Sequence, residues 1–312
     1  RQMCIRDRFQ EAKIKNYVDS KKCDIRNYAK LLKIMKNFKP EIVFHLAAQS
    51  LVRESYKDPL ETYSTNVIGS LNILEASRKA ESVKAIVNVT SDKCYENKEW
   101  VWGYRETEAM GGFDPYSSSK GCAELLSSAY RKSFLDNEGI FLASARAGNV
   151  IGGGDWAKDR LIPDILKAYL NKKEIVVRNP KSIRPWQHVI EPLSGYIILS
   201  EKLYKEGRDW AESWNFGPFE SDAKPVSWIV SRLVKDLKHK QGFAVTKDNQ
   251  PHESKFLKLD ISKARERLGW SPRWDLDTAL EKITIWNDAY SASHPNIFAL
   301  CYEQISDYLL SS

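Results

Sequence analysis

The chain has 312 residues, 42% of them hydrophobic and 29% charged, with a mean hydropathy of -0.49; this is the profile of an ordinary globular protein of about two domains. No apolar run approaches the roughly 20 residues of a spanning helix, and no signal-type apolar segment opens the chain, which excludes a helical membrane protein and points to the cytoplasm. The 48 Lys+Arg exceed the 41 Asp+Glu by +7. The bases are dispersed among acids with no aromatic interleaving, so a grip on an anionic small molecule fits better than nucleic acid. Five scattered cysteines, Cys4, Cys23, Cys94, Cys122 and Cys301, form no Cys-x-x-Cys pair. They read as reduced thiols and suggest no metal site.

Residues 1–8 match no helix or strand period and resemble a translated sequencing adapter, so they are set apart from fold reasoning. Arg1, Arg6 and Arg8 against Asp7 account for +2 of the charge and leave +5. From Asp24 onward helical and strand patterns alternate. Residues 27–38 show helical spacing that Lys39-Pro40 ends. Residues 41–48 form a short branched apolar run suited to a strand buried on both faces. A helix is expected from about 59 to 79, a strand at 85–91, a polar and aromatic loop at 92–115, and a helix at 116–135. A strand at 140–145 and a helix at 161–170 follow. This alternation predicts parallel βαβ units in a doubly wound sheet over residues 9–173. Beyond 174 the pattern is more mixed, with strands at 174–178 and 213–217 and helices near 190–205, 225–237, 261–268 and 275–290. It reads as a smaller α/β substrate domain over 174–312 whose strand 213–217 returns to the main sheet.

A dinucleotide-binding sheet requires a glycine-rich turn between its first strand and helix, so that backbone amides approach the pyrophosphate. No such turn precedes Asp24, and Gly148 with Gly152-Gly153-Gly154 has the wrong spacing. Either the protein binds no dinucleotide, or the sheet lacks its first βαβ unit; the adapter-like start favours the second.

Two stretches carry chemistry. Tyr116-Ser-Ser-Ser-Lys120 sets an ammonium one helical turn after a phenol, where it is expected to favour the phenolate and so a general base. Tyr17 and Lys21 share that spacing without the context. Thr90-Ser91-Asp92-Lys93 closes a predicted strand, and ligands of such sheets bind at strand carboxyl ends. A hydroxyl, a carboxylate and an amine delivered together can hydrogen-bond, protonate and deprotonate one sugar; a solvated loop with a helix cap is the alternative.

The run from His45-Leu-Ala-Ala-Gln49 through Asn66, Thr90-Ser-Asp-Lys93 and Tyr116…Lys120 to Arg146-Ala-Gly-Asn149 resembles the extended short-chain dehydrogenase/reductases that act on nucleotide sugars. Ser91-Asp-Lys-Cys-Tyr-Glu96, Trp100-Val-Trp-Gly-Tyr-Arg-Glu106, Tyr116-Ser-Ser-Ser-Lys-Gly-Cys-Ala-Glu124 and Arg184-Pro-Trp-Gln-His-Val189 are similar to the 4,6-dehydratases of that family, in the subgroup working on CDP-glucose. The resemblance implies a Rossmann-like sheet with NAD as cofactor and no metal. Asp24 and Ile25 would lie at the adenine, Ala47, Ala48 and Gln49 along the phosphate and ribose, and Asn66, Thr90, Arg146, Tyr116 and Lys120 also at the cofactor.

For the chemistry, the resemblance makes Tyr116 the base at the sugar C4 hydroxyl, Ser91 its hydrogen-bond partner, Asp92 the acid at C6 and Lys93 the base at C5. A lysine serves as a base only when desolvation or nearby cations ease its deprotonation. Asn149, Leu161, Arg178 and Arg184 are candidates for the substrate, guanidinium forks suiting a diphosphate; for Arg178 a surface salt bridge is an equal reading. His188 and His252 read as structural, and Trp100 and Trp102 as a cover for the sugar. The helices starting near Pro59 and Tyr116 would pair across a homodimer. Another nucleotide-sugar dehydratase, a C4 epimerase, or a fragment inactive for want of its phosphate loop stay as alternatives; Asp92 speaks against the epimerase.

Overall fold

A computed structural model describes residues 8–246, 256–293 and 296–311. His252 and residues 1–7 of the adapter-like segment lie outside these. Arg8, counted with that segment, donates to Cys301 Sγ at 3.6 Å.

Several helices begin where a short polar side chain caps free amides. Asn27 accepts from Lys30 N ahead of α1 (Tyr28–Phe38), whose Leu31 and Met35 face inward. Lys39 in the left-handed conformation then closes it. After β1 (Ile42–His45) and the short α2 (Val52–Lys57), Asp58 caps α3 (Pro59–Tyr63). A π-helical turn, Ser64–Ile68, joins α3 to α4 (Gly69–Lys79) without a break. Then come β2 (Ala85–Val89), α5 (Pro115–Ser133) behind the Asp114 cap, and β3 (Phe141–Ala147).

β1, β2 and β3 pair parallel in that order, and β7 (Ser213–Phe216) joins parallel beyond β3. Val43, Ile86 and Leu142 pack with Leu31, Ile73 and Leu74 on one face of this sheet. Ala85, Val87, Ala143 and Ala145 pack on the other face against Tyr196, Leu199 and Leu203 of α7 (Ile190–Glu206). The sheet is thus covered on both sides, as parallel strands require. The exception is β1, expected to be buried on both faces: Ile42 and Phe44 are exposed while Val43 and His45 are buried. β1 is the edge strand, and no described element covers its α7-side face.

The remaining chain builds a second layer around β4 (Asn149–Ile151), β6 (Ile183–His188) and β8 (Ala223–Pro225), with β5 (Ile175–Val177) paired to β9 (Phe243–Val245). α6 (Leu161–Leu170), α8 (Val226–Asp236) and α9 (Leu276–Ser291) close a core of Ile165, Trp186, Ile229 and Ile283. α10 (Ile297–Leu310) packs on α7 through Tyr308, whose hydroxyl bonds Ser194 and buried Glu191. Among the described residues no helix is long and apolar enough to cross a membrane.

The Gly152–Gly154 turn has a packing role. A Cβ on Gly153 would stand 2.3 Å from Trp286 Cγ, and Gly154 holds φ +76 with Arg8 and Trp286 against it. Among the described residues no glycine-rich turn links a strand to a helix ahead of β1.

Candidate active site

The carboxyl ends of β2 and β3, the amino end of α5 and the start of α6 enclose a cavity of about 370 Å³. Thr90, Ser91, Asp92, Lys93, Tyr116, Asn149, Leu161, Arg178 and Arg184 all line it. The order of chemistry-bearing residues along β2 explains why: the strand stops at Val89, and a one-turn 3₁₀ helix, Asp92–Cys94, turns the next side chains into the opening. Ser91 Oγ accepts from Lys93 N at 3.2 Å and donates to Asp92 Oδ1 at 3.0 Å. Asp92 is 2% exposed, and its Oδ2 has no hydrogen-bond partner among the described residues. Burial pushes its carboxyl above the usual range, against the opposing pull of Lys93, Ser91 and Arg184. Lys93 is half-buried and forms a wall shared with a second cavity of about 500 Å³, beyond which lie Met110, Phe113 and Asp114.

Tyr116 sits in the first turn of α5, fixed by Pro115 and by Asp114, which accepts from Ser117 N at 2.9 Å. Gly112, at φ +142, lets the preceding loop press onto that turn; a Cβ there would meet Ser118 N at 2.3 Å. Burial pushes the Tyr116 phenol up to about 12, helped by the Asp92 and Asp114 carboxylates and opposed by a hydrogen bond with Ser91 and by Arg160. The expected phenolate beside an ammonium is therefore corrected for the free protein. Tyr116 is buried, and desolvation outweighs every neighbouring charge. Lys120, 6% exposed, is brought down to about 8 by the same desolvation. Its Nζ donates to Val89 O at 3.3 Å, the one hydrogen-bond partner it has among the described residues.

The other residues expected at the cofactor are engaged as follows. Arg146 does not face the cavity. It is buried under the sheet's carboxyl end, paired with Glu124 at 2.7 Å and donating to Tyr95 Oη and Glu106 O, which occupies the fork a ligand would need. Asn66, inside the π turn, donates to Gln49 O and Ser119 Oγ and accepts from Gln49 N. Gln49 in turn bonds Thr62 Oγ1, Leu51 N and Leu51 O. Both amides thus brace the loop that carries Ser50–Arg53 to the cavity wall, because buried backbone groups must find partners. Asp24 is exposed and bonded to Arg26, which holds its carboxyl down at about 2. Ile25 packs against Gly69 on α4, while Ala47 is exposed and Ala48 half-buried on the loop after β1.

On the substrate side Arg178 forms the salt bridges of one reading on the wall of the cavity, with Asp159 at 2.5 Å and Asp164 at 2.9 Å. Arg184, 4% exposed, donates to Ile183 O and lies close enough to act on Asp92. Sequence reasoning missed Asp159, Asp164 and Arg160, which close the mouth, Arg160 reaching Ser50 Oγ at 3.1 Å. It also passed over Glu124, although that residue falls one turn after Lys120 on the same helix face. Trp102 is exposed, whereas Trp100 stacks on Tyr104. His188 is buried and rests against Trp274.

A Tyr-x-x-x-Lys helix crossing the carboxyl ends of a doubly covered parallel sheet, with a Ser-Asp-Lys strand end opposite, defines an extended short-chain dehydrogenase/reductase site. A profile of the GDP-mannose 4,6 dehydratase family matches residues 5–283, and the chain belongs to that family. It is 52% identical over 306 residues to the CDP-glucose 4,6-dehydratase of Salmonella typhimurium, covering 96% of this chain and 85% of that protein. The dTDP-glucose 4,6-dehydratase of the same organism is 23% identical over 287 residues, 84% of this chain and 76% of that one. Among solved structures, the UDP-glucose 4-epimerase of Thermotoga maritima with UDP-glucose superposes with a TM-score of 0.76 at 24% identity, covering 86% of this chain and 84% of that one. The dTDP-glucose 4,6-dehydratase of Bacillus anthracis in complex with NAD does so at 0.71 and 22%, covering 86% and 78%. These likenesses give the fold as the Rossmann-type sheet of nucleotide-sugar enzymes.

Proposed function

We propose that the chain is a lyase, an NAD-dependent nucleotide-sugar 4,6-dehydratase that converts CDP-glucose to CDP-4-keto-6-deoxyglucose. The observation that carries the reaction type is Asp92: a buried carboxyl that burial shifts toward its protonated form, one oxygen without a partner among the described residues, on the wall of the cavity that Tyr116 lines. A carboxylic acid placed so protonates a departing hydroxyl, which a dehydratase needs and a C4 epimerase does not. The cytidine base follows from the likeness to the Salmonella enzyme.

The residues suit the nicotinamide-ribose end of NAD. Lys120 offers a buried ammonium with one carbonyl for three N–H groups, and Tyr116 a phenol on the same helix face. The pyrophosphate cradle has no counterpart among the described residues. When bound, NAD⁺ supplies an acceptor for the C4 hydride, which is later given back at C6, and a positive ring charge that favours phenolate.

Tyr116 accepts the C4 hydroxyl proton, with Ser91 hydrogen-bonding the same oxygen as it becomes a ketone. The ketone acidifies C5–H. Lys93 takes that proton while Asp92 protonates the C6 hydroxyl, which leaves as water, and Lys93 returns a proton to C5 as C6 is reduced. Arg178 and Arg184 bind the diphosphate, with Asn149 and Leu161 beside it; Arg178 exchanges Asp159 and Asp164 for phosphate oxygens. We further propose a homodimer through α2, α3 and α5, on which Tyr56, Leu60, Tyr63 and Leu125 are exposed. A cytoplasmic setting fits the free thiols of Cys23, Cys94, Cys122 and Cys301.

Incubating the protein with NAD⁺ and CDP-glucose, dTDP-glucose or GDP-mannose, followed by NMR of the sugar, tests this. Loss of water from the CDP sugar alone is expected. Inversion at C4 without loss of water would overturn the dehydratase reading.

A further inference from the structure

Beneath the catalytic strand end lies a buried polar cluster that meets the cavity at Thr90. At its centre is Glu124, 4% exposed, on the face of α5 one turn beyond Lys120. Its carboxylate gathers three strands. Oε1 accepts from Thr90 Oγ1 at the end of β2. Oε2 accepts from Ser144 Oγ at 2.7 Å and Arg146 Nη2 at 2.7 Å on β3, and from Ser213 Oγ at 3.3 Å on β7. A helix has no structural need for four such bonds, and hydrophobic residues of similar volume commonly stabilise a core as well as a buried ion pair does. The placement is therefore informative. Thr90 is the residue before Ser91, and Lys120 is the ammonium of the site, so a single carboxylate touches the first and neighbours the second.

We propose that Glu124 is a positioning residue for the reaction: it ties the strand end that presents Ser91 and Asp92 to α5 and sets a carboxylate one helical turn from Lys120. This rests on the reading of Lys120 as a working group of the site. The groups facing Lys120 are Cys94 from the 3₁₀ turn, His45 from β1, the Val89 carbonyl from β2, and Glu124 from its own helix. His45 is held neutral by burial and bonds Ser70 Oγ. Burial likewise holds the Cys94 thiol protonated. Glu124, held ionised by Arg146 and its hydrogen bonds, is left as the fixed negative charge acting on Lys120. Arg146 balances Glu124 from the far side, and Arg131 feels the same carboxylate from two turns further along α5.

Desolvation brings Lys120 down to about 8 with Glu124 in place, so removing that charge carries its titration into the neutral range. An opposite charge at this spacing is worth about one pH unit or more. The sign is fixed: the amine loses its proton at lower pH without Glu124, so the alkaline limb of activity moves down.

The test is the titration of Lys120 itself, read by NMR of protein labelled at lysine Cε, with Lys120→Met to assign the signal. Glu124→Gln is expected to lower the Lys120 midpoint by about one pH unit, and Glu124→Asp to restore most of it. Glu124→Gln with Arg146→Met leaves no lone buried charge; it is expected to show the same downward shift and serves where the single variant does not fold. An unchanged midpoint in a folded Gln variant overturns the proposal. The readout needs no substrate, so it is separate from whether CDP-glucose is turned over. In turnover assays the Gln variant should lose at least tenfold in kcat at pH 8, with a smaller change in KM.

Discussion

Replacing Asp92 by Asn keeps the shape of the side chain and the hydrogen bond that Ser91 donates to Oδ1 at 3.0 Å. It removes the acid group, whose Oδ2 has no hydrogen-bond partner among the described residues. General acid catalysis of this kind contributes about 10²–10⁴ in rate, which at 1.36 kcal/mol per decade is about 2.7–5.4 kcal/mol of barrier. kcat for water loss should fall by that factor with little change in KM, since Asp92 is not placed at the diphosphate. In deuterium oxide, C5–H exchange catalysed by Lys93 should persist in the variant while elimination stops, and NMR of recovered substrate measures both. Stability moves the opposite way. Burial raises the native pKa of Asp92 above its unfolded value. The native state therefore keeps a proton that the unfolded state has lost, and stability declines as pH rises through the native pKa. The Asn variant has no such loss and should gain on the wild type as pH rises, by about 1 kcal/mol or about 2–4 °C in Tm. Water loss within about threefold of wild type, or a Tm difference independent of pH, would refute the assignment of Asp92 as a buried acid.

Tyr116→Phe should fold normally and lose at least about a hundredfold in kcat, because the ring packs unchanged and only the proton acceptor is gone; circular dichroism and turnover together decide it. Arg178→Met should raise the KM for CDP-glucose about tenfold with kcat nearly intact, consistent with one charge-assisted contact to phosphate. The effect should shrink in high salt, because Arg178 is a quarter exposed. Gly153→Ala should destabilise the protein by about 1–3 kcal/mol, since its Cβ would stand 2.3 Å from Trp286 Cγ, and thermal melts measure the loss. Leu60→Asp places a charge at the centre of the proposed dimer face and should give monomers in sedimentation without unfolding, Leu60 being 83% exposed.

The helix at Leu161–Leu170 falls where its periodicity puts it, and α1 begins one residue after the predicted start because Asn27 is its cap. Strands were harder to read where they were short or interrupted. β6 carries Pro185 and pairs antiparallel with the three-residue β8, and neither shows an alternating pattern. α10 went unseen because its apolar residues fall on two faces: Ile297 and Tyr308 point inward, while Tyr302, Ile305 and Leu309 are exposed. In the site, Ser91-Asp92-Lys93 and Tyr116…Lys120 were legible because each set is contiguous on one element and the topology brings strand end and helix start together. The bracing bonds of Arg146, Asn66 and Gln49 were not legible for a physical reason: a guanidinium or an amide suits a ligand and a structural brace equally, and their partners come from distant segments. The direction of the Tyr116 shift was likewise beyond reach, since it depends on how dry the finished cavity is.

The π turn at Ser64–Ile68 holds one residue more than an α-helical turn would, and Asn66 within it is bonded to both Gln49 and Ser119. Deleting a single residue there would close the wide turn to regular α-helical winding. The Asn66 amide would swing out of register with both partners, and the loop leading to Ser50 would lose its anchor. A change of side chain at the half-exposed Ile68 leaves this stretch intact, whereas a change in its length displaces the anchor.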